Sequence, residues 1–175
     1  MLFRSGCLLG LLAGLAIGVA LWLAATIGHA QPDSLTLARL AVHESGWDSP
    51  ADVALIHEVL AGIVERDHVS YQTAARLAAP RFARCAVRRR WACGLREDGR
   101  APPHWHGARW ERYRDRWTTI LEVARTLLAG GTVAPACRER PRVWGSRADV
   151  ARGRARGRRW IDAGCRARNL GGRWE

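Results

Sequence analysis

The chain has 175 residues and a net charge of +12 at pH 7. Its 28 basic residues are all arginine, because the sequence contains no lysine. Abundant arginine, alanine and glycine without lysine is what a GC-rich coding bias produces, and no nucleic-acid-binding motif accompanies the charge, so a specific nucleic-acid-binding function is not expected. Residues 138–175 hold twelve arginines against four acidic residues, which is +8 of the total. This arginine-rich C-terminal segment would attract anionic envelope polymers or a membrane surface.

The first thirty residues have the pattern of an export signal. Residues 5–28 carry no charged side chain, Arg4 precedes them, and Gly28-His29-Ala30 has the small-x-small form that signal peptidase accepts. The apolar run is longer than the roughly 7–15 residues usual for a signal peptide and approaches the roughly 20 that span a bilayer. We therefore predict that residues 1–30 are a signal peptide or a membrane anchor. Residues 31–175 then form one domain that is secreted or periplasmic.

Four cysteines follow the leader: Cys85, Cys93, Cys137 and Cys165. An even number of cysteines in an exported chain predicts two disulfides. Of the three possible connectivities, Cys85–Cys93 with Cys137–Cys165 closes the shortest loops and is the one we predict. A four-cysteine zinc site is the alternative, which the absence of a Cys-x-x-Cys pair disfavours.

Helical periodicity begins directly after the leader. Ser34 is a candidate N-cap for a helix over residues 35–44, whose predicted buried stripe is Leu37, Leu40, Ala41 and Glu44. Glu44 would thus end the helix at the edge of an apolar face. A carboxyl there loses hydration, which raises its pKa toward the range where it can donate a proton near neutrality, as cleavage of a glycosidic bond requires. The alternative is an ordinary, partly exposed glutamate at a helix end.

A second helix is predicted after a short turn. Ser49 supplies an N-cap, Pro50 the first helical position and Asp52 an acid three residues after the cap. Apolar spacing continues to about Arg66. Glu44 would then lie close to the positive N-terminus of this helix, an arrangement suited to the edge of a cleft.

The rest of the chain is predicted to alternate between helices and irregular segments. A helix over residues 71–79 precedes irregular chain over residues 81–103, where glycines, prolines and cysteines interrupt the pattern. A long core helix is predicted over residues 108–129, since apolar and aromatic residues recur on one side of it. Beyond Pro135 the chain is expected to be loop-like except for a helix over residues 146–158. The predicted fold class is therefore mainly α, with irregular disulfide-tied segments.

Three segments resemble known cell-wall enzymes. Glu44-Ser45-Gly46-Trp47 resembles the first motif of lysozyme-like lytic transglycosylases, in which a Glu-Ser pair ends a helix and the glutamate is catalytic. Residues 37–44, followed by residues 53–66, are similar to the start of the spore-cortex-type cell-wall hydrolases, which place a glutamate on a first helix ahead of a second apolar helix. The C-terminal segment is similar in order to the tail of small endolysin-like proteins, through Cys137, Pro141, Trp144-Gly145, Asp149, Trp160, Cys165, Asn169 and Trp174. The Gly-Leu-Met-Gln segment of the transglycosylases is missing, and Val143 replaces the histidine expected before the Trp-Gly pair.

The resemblance implies a small lysozyme-like catalytic domain that acts on peptidoglycan without a cofactor. It would cleave the β-1,4 bond between the amino sugars, with Glu44 protonating the leaving oxygen. Asp48 and Asp52 are the acids close enough along the chain to be considered as a second carboxylate. A lone glutamate favours lytic transglycosylase chemistry, and hydrolysis by a muramidase is the alternative.

Four further residues are candidates for substrate binding. Trp47 would stack on a sugar face, and Ser45 would hydrogen-bond Glu44 or the substrate. Core packing by Trp47 and turn formation by Ser45 are the alternatives. Trp144 and Asn169 form a candidate wall-binding pair, for which a core position and a turn position are the respective alternatives.

A metal-binding protein and a nonenzymatic binding protein are the other classes of function to consider. No metal site is predicted, because the histidines are poorly spaced for zinc: His104 and His106 diverge on a helix, and His57-Glu58 lacks the second histidine of a His-Glu-x-x-His motif. The stronger alternative is a nonenzymatic, exported, disulfide-stapled protein. Such a protein would bind anionic envelope polymers through its arginine-rich C-terminal segment.

Overall fold

In the computed structural model, the described residues are 33–46, 49–83, 91–102, 105, 107–133 and 137–175. The predicted leader and three predicted site residues, Trp47, Asp48 and Cys85, lie outside them. Within these ranges the protein is mainly helical, as predicted. None of the helices found there combines the length and the apolar character needed to cross a membrane.

The described part of the chain contains six α-helices and one 3-10 turn. They are α1 (Asp33–Ser45), α2 (Pro50–Asp67), α3 (Tyr71–Ala78), α4 (Pro80–Ala83), the 3-10 turn (Trp91–Gly94), α5 (Ala108–Leu128) and α6 (Arg147–Ala155). The Ser49 hydroxyl accepts the N–H of Asp52 at 3.1 Å, so the predicted cap of α2 is confirmed. The predicted cap at Ser34 is wrong, because α1 already includes Asp33 and Ser34 lies in its first turn.

Helix α5 is the core helix that the sequence predicts. It packs against α1 and α2, and its side chains Trp110, Trp117, Ile120, Leu121, Ala124 and Leu127 are buried. The indole N–H of Trp117 donates to the carbonyl of Arg96 at 2.8 Å. The guanidinium of Arg39 donates to the carbonyl of Leu95 at 2.7 Å. These two bonds tie the irregular segment before α5 to the helical core.

The C-terminal segment forms a small antiparallel sheet, which corrects the prediction of loop-like chain there. Its strands are β1 (Val143–Gly145), β2 (Trp160–Asp162) and β3 (Leu170–Trp174), in the order β1-β3-β2. Trp144 pairs with Gly171, and Trp160 pairs with Trp174. Strands of three residues are too short to show an alternating pattern, and glycines in β3 argue against a strand on propensity.

Cys137 and Cys165 form the predicted disulfide, with an S–S distance of 2.07 Å. The backbone N–H of Arg138 donates to the carbonyl of Ala163 at 2.9 Å beside it. The disulfide therefore links the start of the C-terminal segment with the loop between β2 and β3. Cys93 is also disulfide-bonded, and Cys85, its predicted partner, lies outside the described residues.

Candidate active site

The end of α1 presents Glu44 beside a turn that requires glycine. Gly46 has a φ of 84°, the left-handed conformation that side chains disfavour, and its N–H donates to the carbonyl of Val42 at 3.1 Å. The Ser45 hydroxyl donates to the carbonyl of Ala41 at 2.7 Å, so its acceptor is the helix backbone and not Glu44. Ser45 and Gly46 thus terminate α1 directly after Glu44.

Glu44 does not extend the buried stripe of α1, contrary to prediction. Leu37, Leu40 and Ala41 are fully buried, whereas Glu44 is an exposed residue whose side chain is 28% accessible. Nδ1 of His43 lies 3.1 Å from Oε1 of Glu44. His43 in turn packs edge-on against the ring of Phe82, with the ring centroids 5.7 Å apart. The contact restrains a carboxyl that can still be reached from solvent.

Glu44 lines a groove of about 1030 Å³ between the helices and the C-terminal sheet. One wall comes from α2, α3 and α4, with Val59, Ile63, Leu77, Ala78 and Pro80 among its residues. The other wall comes from β1, β3 and the start of α6. We call this the main groove. It is formed by two segments that lie far apart in the sequence.

Trp144 and Asn169 line the main groove together with Glu44. Trp144 lies in β1 and is half-buried. Asn169 precedes β3 and is 7% exposed. The structure therefore brings together three of the five residues predicted for catalysis and substrate binding. Ser45 is adjacent to them on α1, and Trp47 lies outside the described residues.

Asp52 lies outside the main groove and holds the backbone of Asn169 in position. The Asp52 side chain is fully buried, and its Oδ1 accepts the backbone N–H of Asn169 at 2.7 Å. Within the described part of the chain, Oδ2 of Asp52 and Nδ2 of Asn169 have no hydrogen-bond partner. Asp52 does not line the main groove, so it is a positioning residue and not an accessible second carboxylate.

Two other carboxylates line the main groove, and both are engaged. Asp67 accepts two hydrogen bonds from Arg66, at 2.7 and 2.8 Å, which lower the pKa of Asp67. Asp149 accepts the hydroxyl and the N–H of Ser146 at 2.6 and 2.9 Å and pairs with Arg152. The hydrogen bond from the Ser146 hydroxyl is the largest cause of the lowered pKa of Asp149. Among the acids described in the groove, Glu44 is the one without an arginine partner.

Sequence reasoning missed the arginines and one tryptophan of the groove. Five arginines line it against three acids: Arg66, Arg81, Arg142, Arg158 and Arg173. Trp174 also lines it and packs against Trp160, with ring centroids 4.6 Å apart. Arg142 stands two residues before Trp144, a spacing that places side chains on one face of an extended strand. Recognising β1 would therefore have connected Arg142 to the candidate site.

Comparison with protein-family models, curated proteins and solved structures gives no match. Within the ranges described, no group of three or more His, Cys, Asp or Glu side chains is placed to hold a metal ion. His57 instead lies 3.0 Å from the hydroxyl of Tyr71, and His104 and His106 lie outside the described residues. Any functional conclusion therefore comes from the main groove and its side chains.

Proposed function

We propose that the chain is a lysozyme-like, peptidoglycan-degrading glycosidase, with Glu44 as the general acid. The observation that carries this proposal is the placement of Glu44, Trp144 and Asn169 on one groove. Glu44 is predicted from a helix-ending motif, and Trp144 and Asn169 are predicted as a pair from the C-terminal segment. That the two motifs, which lie at opposite ends of the described chain, line the same groove supports a common role.

The main groove has features that suit a glycan strand. Small-molecule sites measure about 300–1,000 Å³, so 1030 Å³ leaves room for an oligosaccharide. Trp144 and Trp174 supply flat apolar surface for sugar faces, and Arg81 and Arg158 supply hydrogen-bond donors for hydroxyl and acetamido oxygens. Glu44 lies on the same surface with its carboxyl accessible.

The chemistry requires one proton donor at the bond that breaks. The protonated carboxyl of Glu44 would give its proton to the glycosidic oxygen as the C1–O bond breaks. The resulting carboxylate would then take the proton from the C6 hydroxyl of the same muramoyl residue as that oxygen bonds to C1. This sequence leaves a 1,6-anhydro end and returns Glu44 to its protonated form.

Among the residues that the structure describes, which do not include Asp48, the state of the other groove carboxylates favours this route over hydrolysis. A hydrolase needs a second free carboxylate as base or nucleophile. Asp67 is committed to Arg66, and Asp149 is committed to Ser146 and Arg152. When the C6 hydroxyl of the substrate itself attacks C1, no second carboxylate is needed. We therefore propose the lytic transglycosylase as the first form of the activity and the muramidase as the second.

The test is digestion of purified peptidoglycan by the wild-type chain and by Glu44→Gln. The substitution keeps the size of the side chain and removes its dissociable proton. Loss of a general acid costs about 10²–10⁴-fold in rate, so release of muropeptides should fall by that factor while binding to the wall persists. Glu122→Gln, an exposed glutamate of α5, is the matched control. Lysis by Glu44→Gln at the wild-type rate would refute the assignment.

Mass analysis of the released fragments separates the two chemistries. Anhydro ends indicate a transglycosylase, and reducing ends indicate a muramidase. A mixture that is constant over time would indicate competition between the C6 hydroxyl and water for the same intermediate.

A second function is favoured by the groove arginines. Arg81, Arg142 and Arg158 line the main groove and have no acidic partner among the described residues. A nonenzymatic protein could use them to bind anionic envelope polymers. It would release no muropeptides, and its binding would weaken steeply with salt and would not change in Glu44→Gln.

A further inference from the structure

Two smaller depressions share lining residues with the main groove, and Arg142 lines all three spaces. A side depression of about 400 Å³ is lined by Glu65, Arg140, Gly62 and Pro141 and shares Val59, Arg66 and Arg142 with the main groove. A smaller depression of about 160 Å³ also includes Arg142 and Arg140.

Arg142 differs from its neighbours in having no acidic partner among the described residues. Arg140 pairs with Glu65, Arg66 with Asp67, and Arg173 with Glu175. The backbone N–H of Arg142 donates to the carbonyl of Gly172 at 2.9 Å, so the edge of the sheet fixes the residue. Its guanidinium is exposed. An arginine that lines adjoining depressions and has no acidic partner is suited to bind an anionic group of a branched ligand.

The side depression, which we call the 400 Å³ branch, has mixed chemistry. Val59, Gly62 and Pro141 make part of its surface apolar, while Glu65 and Arg140 place both signs of charge within it. An extended peptide with small side chains, carboxylates and an amine fits that combination. A phosphate polymer would gain little from the apolar surface of this depression.

We infer that the 400 Å³ branch binds the stem peptide of peptidoglycan, with Arg142 pairing with a carboxylate of that peptide. The inference rests on the proposed function, because the main groove would hold the glycan. Peptidoglycan is branched at the lactyl group of each muramic acid, whereas a polymer of N-acetylglucosamine is unbranched and neutral. Arg142 thereby selects the wall polymer over chitin-like chains.

Binding measurements test this in a Glu44→Gln background, where no cleavage disturbs the equilibrium. The two probes are glycan oligomers that carry stem peptides and the same oligomers after chemical amidation of the peptide carboxylates. Arg142→Gln should weaken binding of the oligomer with free carboxylates by about two- to fivefold, as expected for an exposed charge pair, and leave binding of the amidated oligomer unchanged. Arg142→Lys should lose less, because it keeps the charge. Arg112→Gln, an exposed arginine of α5, should change neither.

Four outcomes would overturn the inference. One is an equal effect of Arg142→Gln on both oligomers, and another is a matching effect of Arg112→Gln. The third is undiminished binding, by the chain that retains Arg142, after the peptide carboxylates are amidated. The fourth is tighter binding of purified teichoic acid than of the oligomer with free carboxylates. Failure of the proposed function looks different, since Glu44→Gln would then still lyse walls or would bind neither oligomer.

Discussion

The carboxylate of Asp52 accepts the backbone N–H of Asn169 at 2.7 Å, across 117 residues of chain. Asp52 lies in the first turn of α2, where the helix dipole stabilises a negative charge. Its side chain is fully buried, so water cannot replace the partner it holds. This bond fastens the chain before β3 to the helical core and thereby sets one wall of the main groove.

Replacing Asp52 should therefore destabilise the protein and loosen the groove. Asp52→Ala leaves a buried N–H without an acceptor and should lower the free energy of unfolding by about 1–3 kcal/mol. Asp52→Asn keeps an acceptor oxygen and should lose less. Urea denaturation measures both values, and glycan binding by the folded protein should weaken in Asp52→Ala. A free energy of unfolding unchanged in Asp52→Ala would contradict the structural role.

Two helix glycines should respond in opposite directions to alanine. A Cβ at Gly153 of α6 would collide with the indole of Trp174, whereas a Cβ at Gly62 of α2 would meet the side chain of Arg140 at an ordinary 3.5 Å. Gly153→Ala should cost about 1–3 kcal/mol through overpacking. Gly62→Ala should stabilise by about 0.5–1 kcal/mol through helix propensity.

Thermal unfolding of the two glycine variants compares them directly. Because Trp174 lines the main groove, Gly153→Ala should also weaken binding of glycan oligomers. A melting temperature that rises in both variants would show that Trp174 moves aside without cost.

Removal of the disulfide between Cys137 and Cys165 should cost more than either glycine change. The bond closes a sequence separation of 28, for which the chain-entropy treatment gives roughly 3–4 kcal/mol. The double substitution Cys137→Ala with Cys165→Ala should lower the free energy of unfolding by about that amount. Denaturation of the variant and of the wild type, both without reductant, measures the loss. A loss below about 1 kcal/mol would mean that the unfolded chain gains little freedom from the change.

Stability should fall as the pH is lowered through the titration of His57. Burial lowers the pKa of His57, which lies 3.0 Å from the Tyr71 hydroxyl, so the unfolded chain binds the proton more readily. The contribution of His57 is present above its unfolded pKa of about 6.5 and is lost as the pH falls through the folded value. The slope of unfolding free energy between pH 5 and pH 7.5 should be reduced in His57→Gln. His68→Gln, which alters an exposed histidine, is the control, and an equal reduction there would contradict the prediction.

The helices were predictable because their signals are local. Ser49 and Pro50 mark the start of α2 within four residues, and the aromatic and apolar spacing of α5 extends over 21 residues. The sheet was not predictable by the same means. Gly171 and Gly172 weaken a strand by propensity, yet a side chain at Gly171 would meet Leu55 and one at Gly172 would meet Trp160. The need for glycine there appears only once the strand has packed.

The candidate site likewise contains residues that were predictable from the sequence and residues that were not. Glu44 could be selected because a helix-ending motif is read from four consecutive residues. Arg142 and Trp174 could not, because their place depends on the pairing of β1 with β3 and on the docking of that sheet against α2. From the sequence, Asp52 was interpreted as part of the capping sequence of α2. Its contact with Asn169 was not predictable, because 117 residues separate the two.

The two walls of the main groove come from the first helices of the described chain and from its last strand. During synthesis, Glu44 leaves the ribosome long before Trp174 does. A growing or truncated polypeptide can thus form the helix that carries Glu44 and still lack the second wall of the groove. An activity of the proposed kind would therefore arise only after β3 has been synthesised.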